Sequence, residues 1–518
     1  MNSNSSIHQY PKAESFFGNR KIKKEIYFLT LLFVVFLILS TALSAQLWPV
    51  WIDEVLLIDP GVNLWMGNGF TSSAWYYQTY NDFWACNSPL YSFLISFWLS
   101  IVGFSVPATR FLNYGLIVAA LGILWLAIYR LKMIQSTRDR IIGLSILLLS
   151  TGISFNYLSG RYDCLGILLF AGLILNYSLP SSPLRSVAFI VLGILIPFTG
   201  FHLIPYAIVM AILLIIYLRK MVIKAIALTA IGVALGIIGL LLLYLIQGVL
   251  DIFIQSVGGH SLAGVDLSEG VGEASLTGKI GYVLTNFFPI LLSRMESIIQ
   301  WYLRDKTFVF LYMAALTLVT IQVIEKRFHW RSPLGFALVS GLVIPLFMGL
   351  VRNYPDYYTW MAILPVTLGV SATLYEWRDR SLSAQPAIWA VIALLGAAIL
   401  VGFPNRLVHA ALYWQDRDYQ RVETFVVQNI DPSETVYSDF GPYYAIRKQV
   451  SFVLFPTYLD VITDTDKEKI STLLVNTSQI HHNYQDINLF EILGGEWEEA
   501  DSKLDTSQFN LRIFRRSK

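Results

Sequence analysis

Charge is what this sequence has least of. Of its 518 residues only 14% are Asp, Glu, Lys or Arg, while 55% are hydrophobic. Soluble domains run at about 25% charged, so an ordinary cytosolic protein is excluded. Cysteine is nearly absent as well. Two residues make no disulfide framework, and no Cys-x-x-Cys or Cys/His spacing suits a structural metal. No basic run is longer than Lys21–Lys24 and the net charge is only +2, which argues against nucleic acid as a partner. The nucleotide cradle Gly-x-x-x-x-Gly-Lys-Ser/Thr is missing, since Thr277-Gly278-Lys279-Ile280 lacks its spacing. There is no internal repeat, and only polar Met1–Gly18 reads as disordered.

What charge there is lies unevenly. The stretch from Asn405 to Lys518 holds 29 of the 72 charged residues, about 25% of its length, a soluble value. The preceding 404 residues are only about 11% charged, as lipid requires. Apolar stretches of spanning length fall near 27–46, 108–129, 141–157, 164–179, 187–200, 203–218, 225–247, 308–324, 334–350, 358–375 and 387–403. The first is too long for a signal-peptide core, and its basic flank keeps the N-terminus cytoplasmic.

Leu90–Phe104 is also apolar but short for a span. Placed along the interface, it leaves the loops alternating by charge: Arg130, Lys132, Arg138, Arg140, Arg219, Lys220, Lys224, Lys326, Arg327 and Arg331 all fall inside. Counted as a span, it sends them outside. The expectation is a polytopic α-helical membrane protein of about eleven transmembrane helices. It has a cytoplasmic tail (1–26), a transmembrane domain (27–404) with outer loops at 47–107 and 248–306, and an extracytoplasmic domain (405–518). The last mixes strand-like pieces (435–438, 451–455, 471–475, 509–514) with helical ones (419–428, 441–448), giving a small α/β domain.

The candidate chemistry gathers at the outer helix ends. Asp53 and Glu54 follow the first span directly, and carboxylates there need water, a partner or a metal. Behind them come Gly67-Asn68-Gly69-Phe70, the rings Trp75, Tyr76, Tyr77, Tyr80, Phe83 and Trp84, and Asn87-Ser88-Pro89-Leu90-Tyr91. Such rings form an aromatic belt at a membrane surface, or a floor on which a sugar stacks.

The order of carboxylate pair, Leu64-x-x-Gly67-x-Gly69, a Pro89-Leu90-Tyr91 interfacial helix and a second span opening Arg110-Phe111-Leu112 resembles the GT-C glycosyltransferases. The branch it is similar to is that of protein mannosyltransferases and lipid A aminoarabinose transferases, over about residues 48–177. The resemblance implies a GT-C fold whose first outer loop carries the Asp-Glu motif, here Asp53 and Glu54. It also implies a His/Lys-Pro-Pro-Leu-like turn, here Asn87 to Leu90. Asn87 and Ser88 stand where relatives have a basic residue and a second proline, which sets the aminoarabinose substrate in question.

By the same resemblance Asp163, in the turn Gly160-Arg161-Tyr162-Asp163, is the second acid. A helix-end pair of Arg161 with Asp163 is the plainer reading. Arg352 opens the turn Arg352–Tyr358 and suits a bidentate grip on a lipid phosphate, or else pairs with Asp356 or snorkels. The loop around His260 reads as a lid or a plain connector. His202 reads as an interfacial histidine rather than a ligand. Cys86 and Cys164, both outside, could pair, and Asn476-Thr477-Ser478 is a sequon.

The implied activity is an inverting transfer of a sugar from a polyprenyl-phosphate donor to an acceptor hydroxyl of lipid, protein or polysaccharide. Asp53 acts as general base and Glu54 and Asp163 orient or tune it. Arg352, with Arg161, meets the leaving phosphate, and Asn87, Tyr358 and His260 contact substrate. A divalent metal (Mg or Mn) is compatible with the carboxylates, though several relatives do without one. The rival class is a polytopic transporter or lipid flippase, which would place ionisable groups mid-membrane and show inverted repeats.

Overall fold

The computed structural model describes residues 20–262, 285, 287–351, 355–374, 385–476, 489–506 and 508–517. The chain starts with α1 (Arg20–Ala42), then the first-loop helices α2 (Ile52–Trp65) and α3 (Leu90–Val102). A helical bundle follows: α4 (Val106–Leu131), α5 (Thr137–Leu149), α6 (Thr151–Leu158), α7 (Asp163–Ser178), α8 (Pro183–Thr199), α9 (Leu203–Leu218) and α10 (Lys220–Ile246). After α11 (Leu250–Leu262) and α12 (Phe287–Arg304), it continues through α13 (Lys306–Ile324), α14 (Pro333–Val351), α15 (Trp360–Leu374) and α16 (Gln385–Leu400).

Helices thus stand at each expected span. Among the described residues, five are long and apolar enough to cross a bilayer alone, and two bent pairs do so when each is taken as one span. One pair is α5 with α6, bent by 51°; the other is α16 with α17 (Phe403–Leu412), bent by 46°. The other four expected spans fall on α7, α8, α9 and α15, of 16, 17, 16 and 15 residues. These fall short of the roughly 20 residues that a perpendicular helix needs to cross. The protein is a multi-pass membrane protein.

The C-terminal region holds α18 (Tyr419–Asn429), α19 (Tyr443–Gln449) and a five-stranded sheet. Its strands are β1 (Val436–Ser438), β2 (Val453–Leu454), β3 (Thr472–Asn476), β4 (Trp497–Asp505) and β5 (Asn510–Arg516), ordered β2-β1-β3-β5-β4. β1 runs parallel to β2 and β3, and β5 is antiparallel to β3 and β4. The expected boundary at 404/405 falls inside α17, so the helix runs through the change in composition.

The C-terminal region does not stand apart. Val55, Ile58, Trp75, Trp84 and Tyr91 of the first loop pack in one hydrophobic cluster with Val422, Tyr443, Tyr444, Phe455 and Ile513. Hydrogen bonds join the two as well: Phe455 N–H donates to Ser73 O (3.3 Å), and the Thr457 hydroxyl donates to Ala74 O (2.6 Å). Loop and tail are therefore packed against each other as one unit. α3 packs on α2, where Gly61 is required because a Cβ would lie 2.3 Å from Ser92 O.

The two cysteines do not pair. Cys86 is buried in the shared loop–tail cluster, its thiol 3.1 Å from Gln78 Oε1, and Cys164 is buried in the helix bundle.

Candidate active site

α2 sets the geometry. Successive residues on a helix point about 100° apart, so adjacent Asp53 and Glu54 cannot face the same side. Asp53 faces a cavity of about 620 Å³ and remains a quarter exposed. Glu54 turns inward and is fully buried. Arg110 of α4 grips it with a fork, Nε to Oε1 at 2.8 Å and Nη2 to Oε2 at 2.5 Å. The Tyr444 hydroxyl adds a bond to Oε1 at 2.9 Å. Three hydrogen bonds from Arg110 and Tyr444 hold Glu54, which is not among the residues that line the cavity. Gly160 closes over it with φ +64°, where a Cβ would meet Glu54 Cγ at 2.9 Å.

Farther along α2, Asp59 accepts from Ser72 Oγ (2.7 Å), Ser73 N–H (3.2 Å) and the Tyr443 hydroxyl (2.9 Å). Asn63 Oδ1 accepts from Arg447. One face of the helix is thereby tied to the C-terminal region. Pro60 lacks an N–H and leaves the Leu56 carbonyl without its helical donor. The indole N–H of Trp75 donates there instead, setting that ring as a wall of the cavity.

The turn between α6 and α7 brings the counter-charge. Arg161 Nη1 donates to Asp53 Oδ2 and its Nε to Asp163 Oδ2 at 3.1 Å. Its guanidinium lies over the Tyr357 ring, 3.6 Å from the centroid, a stacked cation–π contact. Tyr357 is placed in turn by Asn156 Nδ2, which donates to its carbonyl at 2.7 Å. Asp163 is fully buried and receives two further bonds on Oδ1, from Trp360 Nε1 (3.0 Å) and His202 Nε2 (3.1 Å). It orients two cavity-lining side chains, Arg161 and His202, rather than lining the cavity itself.

The remaining wall combines the rings Tyr76, Tyr77, Tyr162, Phe201, Tyr357 and Tyr358 with aliphatic side chains such as Leu56, Leu57, Ile204 and Val257. Burial, with the Asp460 and Asp53 carboxylates nearby, pushes the Tyr76 phenol up to about 12, so it stays a donor at neutral pH. Asn87 lines the cavity from the turn at 86–89, which three helices hold. Ser88 Oγ donates to Pro197 O (2.7 Å), the Tyr244 hydroxyl to Asn87 O (2.6 Å) and Ser256 Oγ to Cys86 O (2.6 Å).

Of the sequence candidates, the structure brings together Asp53, Arg161, Asn87 and Tyr358 around the cavity, with Asp163 behind Arg161. The side chain of His260, all of Arg352, residues 263–284 and 286 of the 248–306 loop, and Thr477 and Ser478 of the sequon lie outside the described residues. Sequence reasoning missed His202, Tyr357 and Trp360 as parts of the site. It also missed Arg110 as Glu54's partner, although an arginine four residues into an apolar span needs an acid. Among the described residues no set of three His, Cys, Asp or Glu converges to hold a metal. The Arg161 guanidinium occupies the place between Asp53 and Asp163 where a divalent ion would bridge them. The donor set does not fit one.

Neither a protein-family model nor a curated protein matches the sequence. The fold does match solved structures, and it is the GT-C fold expected above. ArnT from Cupriavidus metallidurans bound to undecaprenyl phosphate aligns with a TM-score of 0.56 at 11% identity, covering 94% of this chain and 97% of that one. The same protein in its apo state gives 0.53 at 12% identity over the same shares. An oligosaccharyltransferase from Archaeoglobus fulgidus, in the apo form, aligns at 0.47 and 12% identity over 86% of this chain and 70% of its own.

Proposed function

We propose that the protein is a membrane glycosyltransferase that moves a sugar from a polyprenyl-phosphate donor to an acceptor hydroxyl, with inversion at the anomeric carbon. The observation that carries this reading is the pairing of Asp53 and Arg161 at one wall of an aromatic-lined cavity, at the mouth of the helix bundle. A carboxylate, a cation and stacking surfaces are what transfer from a sugar phosphate requires. The GT-C fold shared with ArnT, solved with undecaprenyl phosphate bound, supports a prenyl-phosphate donor.

Asp53 takes the proton of the acceptor hydroxyl, whose oxygen bonds to the anomeric carbon from the face opposite the phosphate. The bond from that carbon to the phosphate oxygen breaks with its electron pair, and polyprenyl phosphate leaves. Arg161, held by Asp163 and Tyr357, meets the charge growing on the leaving oxygen, with Arg352 as a second cation by sequence position. Asn87, Tyr76 and Tyr358 supply hydrogen bonds and stacking to the sugar, and His260 is assigned to the same role from the sequence. The site follows the first span and the C-terminal region the eleventh, so both face the extracytoplasmic side from a cytoplasmic N-terminus. Nothing in the reading requires the aminoarabinose donor.

The test is release of free polyprenyl phosphate from a panel of polyprenyl-phosphate sugars, with total membrane extract as acceptor. Release from one donor, lost in Asp53→Asn, is expected. No release from any donor by folded protein would sink the proposal.

A further inference from the structure

We propose that Arg161 occludes the base Asp53 until a prenyl phosphate draws the guanidinium away, so that donor binding itself frees the base. The inference rests on the glycosyltransferase reading and specifies how that site is switched on.

Three observations lead to it. Among the described residues that line the cavity, Arg161 is the single lysine or arginine, so a phosphate arriving there finds its strongest partner in this side chain. A guanidinium grips a phosphate through two N–H groups on one edge. The Nε edge is engaged by Asp163, which leaves the Nη1–Nη2 edge, and Nη1 is bonded to Asp53. A bidentate phosphate must therefore compete with Asp53.

Burial decides which acid gives way. Asp163 is fully enclosed, and Trp360 and His202 fix it as well. Releasing it would strand a buried charge. Asp53 is a quarter exposed to the cavity, where water or an acceptor hydroxyl replaces the lost bond. The Tyr357 ring, 3.6 Å from the guanidinium carbon, and Asp163 on Nε keep Arg161 in place while Nη1 changes partner.

The consequence is chemical. In the free site Asp53 Oδ2 is occupied by a guanidinium N–H; once the phosphate takes Nη1, that oxygen is open to the acceptor hydroxyl. The charges balance, since one anion replaces another on Arg161 and the freed carboxylate then takes a proton. Without a donor the cavity holds no active base, and substrates bind in order, donor before acceptor.

Binding of undecaprenyl phosphate and dolichyl phosphate to full-length protein in detergent, with undecaprenol and dolichol as controls, tests the exchange through a double-mutant cycle. Removing the competitor with Asp53→Asn should tighten phosphate binding by about tenfold, the worth of one charge-assisted hydrogen bond. The same substitution in an Arg161→Gln background should change nothing, and the prenols should be indifferent throughout. A tightening that persists in Arg161→Gln would mean plain repulsion between Asp53 and the phosphate, and would overturn the exchange. So would no tightening at all. If Arg161→Gln fails to fold, Arg161→Lys serves in its place, because an ammonium cannot hold both acids and should reduce the gain. A wild-type protein that binds neither phosphate more tightly than its prenol would overturn the donor reading itself, a result distinct from an additive cycle.

Discussion

The hydroxyl of Tyr444 donates to Glu54 Oε1 at 2.9 Å, a bond between residues 390 positions apart that joins the C-terminal region to the helix carrying Asp53. Glu54 is thus a clamp. Glu54→Ala leaves the Arg110 guanidinium buried without its acid, and should destabilise the protein by about 3–5 kcal/mol. Tyr444→Phe removes one neutral donor and should cost about 1 kcal/mol. Thermal unfolding in detergent reads both. An alanine variant as stable as wild type would show that Glu54 does not hold the loop.

Trp75 and Pro60 form a complementary pair around the Leu56 carbonyl. Trp75→Phe keeps a ring but strands that acceptor, at a cost of about 1–3 kcal/mol. Adding Pro60→Ala restores a helical N–H and should recover part of the loss. Apparent melting temperatures of the two single variants and the double variant decide it, and strictly additive losses would refute the pairing.

Asp439 gives a pH signature to the tail. Burial raises its carboxyl to about 7, against the pull of the Asn476 N–H, which bonds Oδ2. The folded state therefore keeps a proton that the unfolded chain releases near pH 4. This contribution is fully present below about pH 4 and is lost as pH rises through about 7, amounting to about 4 kcal/mol at most. Asp439→Asn should raise the melting temperature at pH 8 and do little at pH 4. An equal shift at both pH values would count against the assignment.

Arg161→Lys tests the site without removing its charge. An ammonium cannot bridge Asp53 and Asp163 while lying flat on Tyr357. Loss of this donor geometry should lower turnover of a polyprenyl-phosphate sugar by about 10²–10³. The measurement is initial rate at saturating donor, and a rate within a few-fold of wild type would remove Arg161 from the chemistry.

The spans were legible because lipid demands long apolar runs. The charges of later loops set the expectation that α3 lies along the surface, and the structure packs it against α2. Four of the five strands showed as short apolar runs, but β4 did not. Its sequence WEEADSKLD has charge at most positions because it is an edge strand with little burial. The pair Asp53–Glu54 was visible as a motif, yet its division of labour was not. That depends on helix phase and on partners at 110, 161 and 444, which local sequence does not bring together.

The shared loop–tail cluster has a consequence for biosynthesis. Residues as late as Ile513 complete the packing around the helix that carries Asp53, which is made just after the first span. The first loop therefore waits, incompletely packed, while every later helix is made. Chains truncated within the last hundred residues would keep the helix bundle and still carry an unfinished cavity wall. The helix that carries Asp53 is fully packed only when the last strand arrives.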